Sequence, residues 1–229
     1  MGVCGPSLIG LLLYDSHRGI GKKGSLFSSL FNFGHISNTW WGIILLGYPL
    51  VCLLALLFAL SLGQDLPGFV LFKELVKSPI LVIPYALQFL LAGPLAEEFG
   101  WRGFTLPLMT TRFGVTKSSF LLGIIWWAWH LPLYYFIGTT HYKWGWFSQE
   151  FWLFFASTLC LSMLIGLAYT QNQNSILAAI TMHFIFNVSM NLISPIGIFM
   201  RFYLVILLWI FGLYLYVREK YKLVPIQHG

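Results

Sequence analysis

The sequence predicts an all-α membrane protein, a polytopic transmembrane helical bundle of about six to seven spans. Hydrophobic residues make up 58% of the 229 residues and charged residues only 9%, whereas soluble domains carry roughly 25% charged residues. Aromatic residues reach 18%. This excludes a disordered chain, because disordered chains are poor in aromatic and apolar side chains. The apolar runs are continuous, which favours helices over the alternating strands of a membrane barrel.

Seven apolar runs are the candidate helices. They cover residues 3–14, 40–62, 80–104, 119–137, 151–169, 176–193 and 199–217. A helix needs about 20 apolar residues to cross a membrane, so the first run is too short. We expect it to be interfacial or half-inserted, or to be the end of a longer helix that starts upstream of Met1. The runs leave no room for a soluble domain, and we predict a single membrane domain over 1–229.

The basic residues are divided unequally between alternate loops. Nine of the 13 fall in one set of loops: Arg18, Lys22, Lys23, Arg102, Arg112, Lys117, Arg218, Lys220 and Lys222. The other set holds Lys73, Lys77, Lys143 and Arg201. Because cytoplasmic loops are enriched in Lys and Arg, we place the larger set and the C-terminus in the cytoplasm. The net charge is +6, but the basic residues are scattered along the chain, so the charge does not indicate nucleic-acid binding.

The acidic pair Glu97 and Glu98 lies inside an apolar run. Ionisable groups inside a membrane are costly and indicate function by default. Glu98 and Arg102 stand at i and i+4, the spacing of a salt bridge on one helix face. Glu97 then points about 100° away, without a counter-ion on its own helix, and a carboxylate in an apolar cavity can act as a general base. The alternative is that all three residues only anchor the helix at the membrane interface.

Two histidines and an asparagine join the acidic pair. His130 lies inside the run at 119–137, and His183 and Asn187 share one helix face at i and i+4. Taken alone, His130 is better explained as a packing residue, and the His183–Asn187 pair is explained as well by a helix–helix hydrogen bond as by a functional role. Counted from the predicted cytoplasmic helix ends, however, Glu97, His130 and His183 fall at similar depths of about 10–16 Å. Independent packing residues have no reason to share a level, so we predict a polar chamber that opens to the cytoplasm.

This set of residues suits hydrolysis by activated water. Glu97 is the candidate base that removes a proton from water, and His130 is the candidate group that holds this water. His183 and Asn187 are the candidate donors to the oxyanion of the tetrahedral intermediate. A catalytic zinc ion is the alternative, because two imidazoles and a carboxylate match a zinc ligand set. We favour a site without a metal or other cofactor, because no His-Glu-x-x-His motif is present and because hydrogen bonding gives Asn187 a role.

These motifs resemble those of the CAAX-processing and bacteriocin-processing (CPBP) family of intramembrane proteases, whose best-known branch is the type II CAAX prenyl endopeptidase. The family pattern is Glu-Glu-x-x-x-Arg, then Phe-x-x-x-His, then His-x-x-x-Asn, on separate membrane helices. The matching positions are Glu97, Glu98, Arg102, His130, His183 and Asn187. Trp126 stands where the Phe of the second element is usual. The resemblance covers about residues 90–190, the expected catalytic core.

The resemblance implies an intramembrane endopeptidase. In the family, the first Glu and the first His activate water, and the last His and Asn bind the oxyanion; the corresponding residues here are Glu97, His130, His183 and Asn187. Glu98 and Arg102 would support them. The implied substrate is a membrane-associated peptide or protein, with a prenylated CAAX tail as the family's namesake. Neighbouring residues resemble the bacterial branch, which implies a cell-membrane location.

Two other classes of function compete with the protease. One is a non-catalytic bacteriocin-immunity or membrane scaffold protein of the same family, which would retain the helices and bind a partner. Loss of any member of the catalytic set would favour it, and all members are present. The other is a transporter or proton channel that uses Glu97 as a relay. Transporters usually show paired repeats, and the sequence has none, so the protease is the favoured interpretation.

Overall fold

The computed structural model describes residues 4–14, 23–28 and 30–222, and throughout this part of the chain the regular structure is helical. The helices are α1 Gly5–Leu13, α2 Lys23–Ser28, α3 Asn38–Ser61, α4 Val70–Lys77, α5 Val82–Leu91, α6 Pro94–Glu98, α7 Leu106–His130, α8 Thr140–Trp144, α9 Gln149–Gln171, α10 Ile176–Ile193 and α11 Ile198–Lys222. Among the described residues, five stretches are long and apolar enough to cross a membrane: Asn38–Ser61, Pro79–Tyr134, Gln149–Gln171, Ile176–Ile193 and Ile198–Tyr221. The all-α membrane bundle predicted from composition is therefore confirmed.

Serine residues begin three of the long helices. Ser37, Ser148 and Ser175 each accept a hydrogen bond from a backbone N–H of the first helical turn. Such caps satisfy donors that a helix start would otherwise leave without a partner. This local chemistry explains why α3, α9 and α10 begin within a few residues of their predicted starts.

The stretch Pro79–Tyr134 is 56 residues long and folds back on itself at Gly114. Gly114 has φ 71° and ψ 167°, a non-helical conformation within α7 that favours glycine. The two arms then run antiparallel, so that Glu97 on the first arm meets Trp126 on the second. Counted as two passes, this stretch raises the number of crossings from five to six.

The second arm ends earlier than the sequence predicted. We expected a helix over 119–137, but α7 ends at His130 and Leu131–Tyr134 forms a short 3₁₀ turn. The physical reason is Pro132, which has no N–H to bond a carbonyl of the preceding turn. His130 therefore lies at the end of its helix rather than in the middle of a span.

Small residues bring the site-bearing helices close together. At Gly123 on α7, a methyl group would lie 3.0 Å from Ser162 Cβ and 3.1 Å from Leu159 Cα on α9. At Gly10 on α1, it would lie 2.7 Å from the Cα of Gly100. Close approach through small residues is the usual packing of membrane helices. Here it packs α9 against α7 and α1 against the segment that follows the acidic pair.

The bundle has two ends, which we name by the glycines at their turns. The Gly114 end also holds the start of α3 and the end of α9, joined by a hydrogen bond from Ser37 N to Asn172 Oδ1. The Gly197 end holds the turns before α4 and α11, where Gly68 N donates to the carbonyl oxygen of Pro195. Each long helix runs from one end to the other, and the site residues lie between them.

Candidate active site

The salt bridge predicted between Glu98 and Arg102 is present and fully buried. Arg102 Nη1 donates to Glu98 Oε1 at 2.9 Å, and both side chains are 0% exposed. Phe99–Thr105 is a π-helical segment that continues α6, and wide turns of this kind are frequent at functional sites. The burial corrects one detail of the sequence analysis. Arg102 was counted among the cytoplasmic loop charges, and it is instead an interior group.

Arg102 also binds the neighbouring helix. Its Nη2 donates to Ser162 Oγ at 3.1 Å, and Ser162 Oγ in turn donates to the carbonyl oxygen of Ser119 at 2.9 Å. Its guanidinium lies 5.0 Å from the centre of the Trp126 ring, within the range of a cation–π contact. Arg102 thus ties α9 and both arms around Gly114 into one unit.

Glu98 has a second partner that local spacing could not reveal. His183 Nδ1 lies 2.8 Å from Glu98 Oε1, although the two residues are 85 positions apart. An ionised carboxylate only accepts hydrogen bonds, so Nδ1 carries the proton and donates. This bond fixes the imidazole and leaves Nε2 facing away from Glu98. A carboxylate that orients a functional histidine in this manner is a recurring arrangement in enzymes.

Glu97 points away from Glu98 and Arg102, and it meets a tryptophan. Trp126 Nε1 donates to Glu97 Oε2 at 2.5 Å, and the Glu97 side chain is almost fully buried. The sequence analysis noted Trp126 only as a departure from the family's Phe and assigned it no role in the site. The sequence did offer one sign of this role. Trp126 replaces the family's Phe, and its indole has an N–H donor that a phenyl ring lacks.

Trp126 is in contact with both histidines as well. Its ring meets the His183 ring edge-on at a centroid distance of 5.1 Å and the His130 ring at 6.1 Å. His130 Nδ1 lies 2.8 Å from the carbonyl oxygen of Trp126, one helical turn back, so its Nε2 is the nitrogen left for a ligand. The structure therefore gathers Glu97, His130 and His183 around one indole.

Asn187 lies near His183, next to Gly93. The sequence analysis did not select Gly93 as a site residue. A methyl group at Gly93 would lie 2.9 Å from Asn187 Nδ2 and 3.5 Å from His183 Nε2. Both nitrogens therefore face the same small space next to the Gly93 backbone. The Asn187 amide is a donor, and His183 Nε2 becomes one when its ring carries both protons; two such groups that converge on one point can bind an oxyanion. Gly93 precedes Pro94 at the start of α6, and by sequence alone it reads as an ordinary helix start.

A cavity of about 310 Å³ adjoins these residues. Its size is at the lower end of the range for ligand pockets, roughly 300–1,000 Å³. Trp126, His130, His183 and Asn187 line it. Glu97 is not in the wall and reaches these residues through its bond to Trp126. The cavity therefore adjoins Asn187 and His183, and the Glu97 carboxylate lies one contact behind its wall.

Comparisons with known proteins agree with this geometry. A family model described as "Type II CAAX prenyl endopeptidase Rce1-like" matches residues 79–189. The chain is also 30% identical over 196 residues to "CAAX prenyl protease 2" of Methanococcus maripaludis. The aligned region covers 84% of this chain and 71% of that protein. The chain belongs to the Rce1-like family of type II CAAX prenyl endopeptidases. The family predicted from the three motifs is thereby confirmed.

The sequence analysis predicted that the basic loops are cytoplasmic and that the polar chamber opens to the cytoplasm. The position of the cavity shows whether these two features lie at the same end of the bundle. Thr140, His141, Ser194 and Arg201 continue its wall toward the Gly197 end. Arg218, at the other end of α11, is about 26 Å from Arg201 along the helix axis. The cavity thus lies nearer the Gly197 end than the end that carries Arg112, Lys117 and Arg218. The sequence analysis counted the depth of His130 from the start of the run at 119, whereas His130 is the last residue of α7 and lies toward the Gly197 end.

His141 is a further titratable group of this wall and lies outside the membrane-spanning stretches. Burial, together with the nearby His130, lowers the pKa of His141 to about 4. His141 is therefore uncharged near neutral pH. Its ring stacks near His130 at a centroid distance of 5.9 Å. The sequence analysis did not select it, because it lies in a loop between two spans.

A metal ion was the alternative chemistry for these side chains. In residues 4–14, 23–28 and 30–222, no three His, Cys, Asp or Glu side chains converge closely enough to hold one. The Nδ1 atoms of His130 and His183 are engaged by Trp126 and Glu98, and Glu97 accepts from the indole. These bonds leave Nε2 of each histidine available, an arrangement that metal-ligating and metal-free histidines share.

Replacing each carboxylate separately tests whether the two have different tasks. We expect Glu98→Gln to destabilise the protein by about 3–5 kcal/mol, since it leaves Arg102 as an uncompensated buried charge. Glu97→Gln removes no ion pair and keeps an acceptor for Trp126, so its melting temperature should stay near that of the wild type. Thermal unfolding of the purified variants in one detergent measures both. Equal melting temperatures for the two variants would contradict this division.

Proposed function

We propose that this chain is an intramembrane endopeptidase that hydrolyses a peptide bond of a membrane-associated substrate. The observation that carries the proposal is the convergence of Asn187 Nδ2 and His183 Nε2 on the space beside Gly93, with Glu97 held nearby by Trp126. Donors placed where negative charge develops, next to a carboxylate base, are the components of water-mediated acyl transfer.

In the mechanism, Glu97 and His130 act on the attacking water, and His183 and Asn187 bind the oxyanion. Glu97 removes a proton from a water molecule that His130 Nε2 holds, and the hydroxide attacks the scissile carbonyl carbon. The oxyanion accepts hydrogen bonds from Asn187 Nδ2 and from His183 Nε2. His183 donates from Nε2 when its ring carries both protons, and the Glu98 carboxylate 2.8 Å away offsets that charge. Glu97 then returns the proton to the leaving amine.

The proposed substrate is a lipidated tail of the CAAX type. The support is the name of the relative, a CAAX prenyl protease, together with the surroundings of the site. Exposed apolar side chains cover much of the helix surfaces, which suits a lipid environment. A substrate carrying a prenyl chain would be concentrated in the same membrane and would reach the cavity by lateral diffusion.

We also propose that catalysis requires no metal ion and no other cofactor. The support is Asn187, whose Nδ2 faces the space beside Gly93 next to His183 Nε2 and which has no task as a ligand of a zinc site. If a metal acted here, Glu97, His130 and His183 would be its ligands and the bound metal would polarise water. The assay below therefore includes a chelator.

The first test is cleavage by the wild type and by Glu97→Gln. Both proteins are purified in detergent and given an internally quenched, farnesylated CAAX peptide. We expect the wild type to cleave it and Glu97→Gln to lose activity by at least about 10²-fold, because the variant keeps the shape and loses the base. Activity should persist in a strong chelator. Equal cleavage by both proteins would contradict the proposal, and loss of wild-type activity in chelator would contradict its metal-free form.

Gly93→Ala tests the oxyanion site without removing any side chain of the set. The added methyl group would occupy the space that Asn187 Nδ2 and His183 Nε2 face, so we expect kcat/KM for the same peptide to fall about 10²-fold, because a displacement of about 1 Å can cost that much. Gly42→Ala is the control, since a methyl group there meets nothing within 4 Å. Full activity of Gly93→Ala would place the oxyanion elsewhere.

We further propose that the Gly197 end faces the cytoplasm, where prenylated tails are exposed. This orientation is opposite to the one that the count of basic residues favours. Gly197→Cys and Thr111→Cys report the two ends, since both positions are exposed; exposed Cys4 is replaced by Ser in each. We expect a membrane-impermeant maleimide to label Thr111→Cys on intact cells and Gly197→Cys only after lysis. The reverse pattern would place the cavity opening outside the cell.

A further inference from the structure

Arg201 is a cation of the cavity wall that the proposed mechanism does not use. It lies near the start of α11, one turn into a membrane-spanning stretch. Its neighbours on the helix, Met200 and Leu204, are buried in the core, so its position is fixed by packing. A charged side chain at such a place is costly and calls for a functional explanation.

No acidic side chain of the described residues forms an ion pair with Arg201. Glu150 is near enough to influence it electrostatically, but the ion pairs among the described residues involve other arginines and a histidine. The contact that holds the guanidinium is a cation–π contact with Trp144, at 4.8 Å from the ring centroid. A guanidinium lying over a ring keeps its N–H edge free for a planar anion.

Arg201 is also the one permanently charged group among the described residues of the cavity wall. The other wall residues are apolar, aromatic, hydroxyl, amide or imidazole groups, and His141 is uncharged near neutral pH. The same wall carries His183 and Asn187. The cavity therefore presents a positive charge toward its mouth and the candidate oxyanion donors deeper in the bundle.

We propose that Arg201 binds the C-terminal carboxylate of the substrate peptide. The inference rests on the proposed function, because a CAAX-type substrate ends in a free carboxylate shortly after the bond to be cut. Arg pairs with a carboxylate through two parallel N–H···O bonds, which give orientation as well as attraction. Arg201 would then fix the distance between the chain end and the scissile bond, and so select the bond that reaches the donors.

A pair of peptides that differ only at the chain end tests this assignment. One lipidated, quenched peptide ends in a free carboxylate and the other in an amide. We expect the wild type to cleave the acid with a kcat/KM at least about tenfold higher than the amide, since a charge-assisted pair is lost. Arg201→Gln should cleave the two peptides with equal efficiency. Arg201→Lys should keep part of the preference that Arg201→Gln loses, because lysine keeps the positive charge but lacks the planar guanidinium that bonds both carboxylate oxygens.

The control is Arg112→Gln, which removes an exposed arginine at the Gly114 end and should keep the wild-type preference. Equal cleavage of acid and amide by the wild type, or an unchanged preference in Arg201→Gln, would overturn the assignment and leave the endopeptidase proposal intact. If Arg201 instead bound a lipid phosphate, added phosphatidylglycerol would inhibit both peptides equally, with no preference for the acid.

A measurement of peptide binding tests the carboxylate site independently of the proposed endopeptidase activity. Fluorescence anisotropy of the labelled acid and amide peptides is measured on Glu97→Gln, with and without Arg201→Gln. Tighter binding of the acid, lost on Arg201→Gln, would support the carboxylate site even if no peptide were cleaved. Equal binding of the two peptides to Glu97→Gln would overturn it whatever the cleavage assay showed.

Discussion

The buried ion pair between Glu98 and Arg102 is the constraint on which the rest of the site depends. Burial of such a pair is costly unless hydrogen bonds offset it. In the described part of the chain, Glu98 Oε2 and Arg102 Nε have no hydrogen-bond partner, and the other charged atoms are bound by groups on two neighbouring helices. Arg102 reaches Ser162 on α9 and Glu98 accepts from His183 on α10. A bundle that satisfies these bonds must bring α6, α7, α9 and α10 together, and this places His183 and Trp126 beside Glu97.

Two adjacent carboxylates thereby acquire different surroundings. Glu98 is neutralised by Arg102 and also orients His183. Glu97, about 100° away round the helix, accepts from a neutral indole and forms no ion pair with a described residue. Division of labour between two carboxyl groups, set by environment rather than by residue type, is a general device of hydrolytic enzymes. It is the reason that the structure supports Glu97, and not Glu98, as the base.

Much of this arrangement was predictable from local spacing, and the remainder depended on contacts between distant segments. The i, i+4 rule predicts the Glu98–Arg102 pair and the shared face of His183 and Asn187. No local rule connects His183 to Glu98 across 85 positions, or shows that Asn187 Nδ2 and His183 Nε2 face the space beside Gly93. The end of α7 at His130 was missed because hydropathy continues past Pro132, while the missing N–H of proline stops the helix.

The most direct test of the account is a structure of Glu97→Gln with an uncleaved acid-ended peptide bound. The account predicts that the scissile carbonyl oxygen lies within about 3.1 Å of Asn187 Nδ2 and His183 Nε2. It also predicts a water molecule between the substituted side chain at position 97 and the carbonyl carbon. A peptide bound in the cavity with its carbonyl turned away from these nitrogens, or with no water beside position 97, would contradict it.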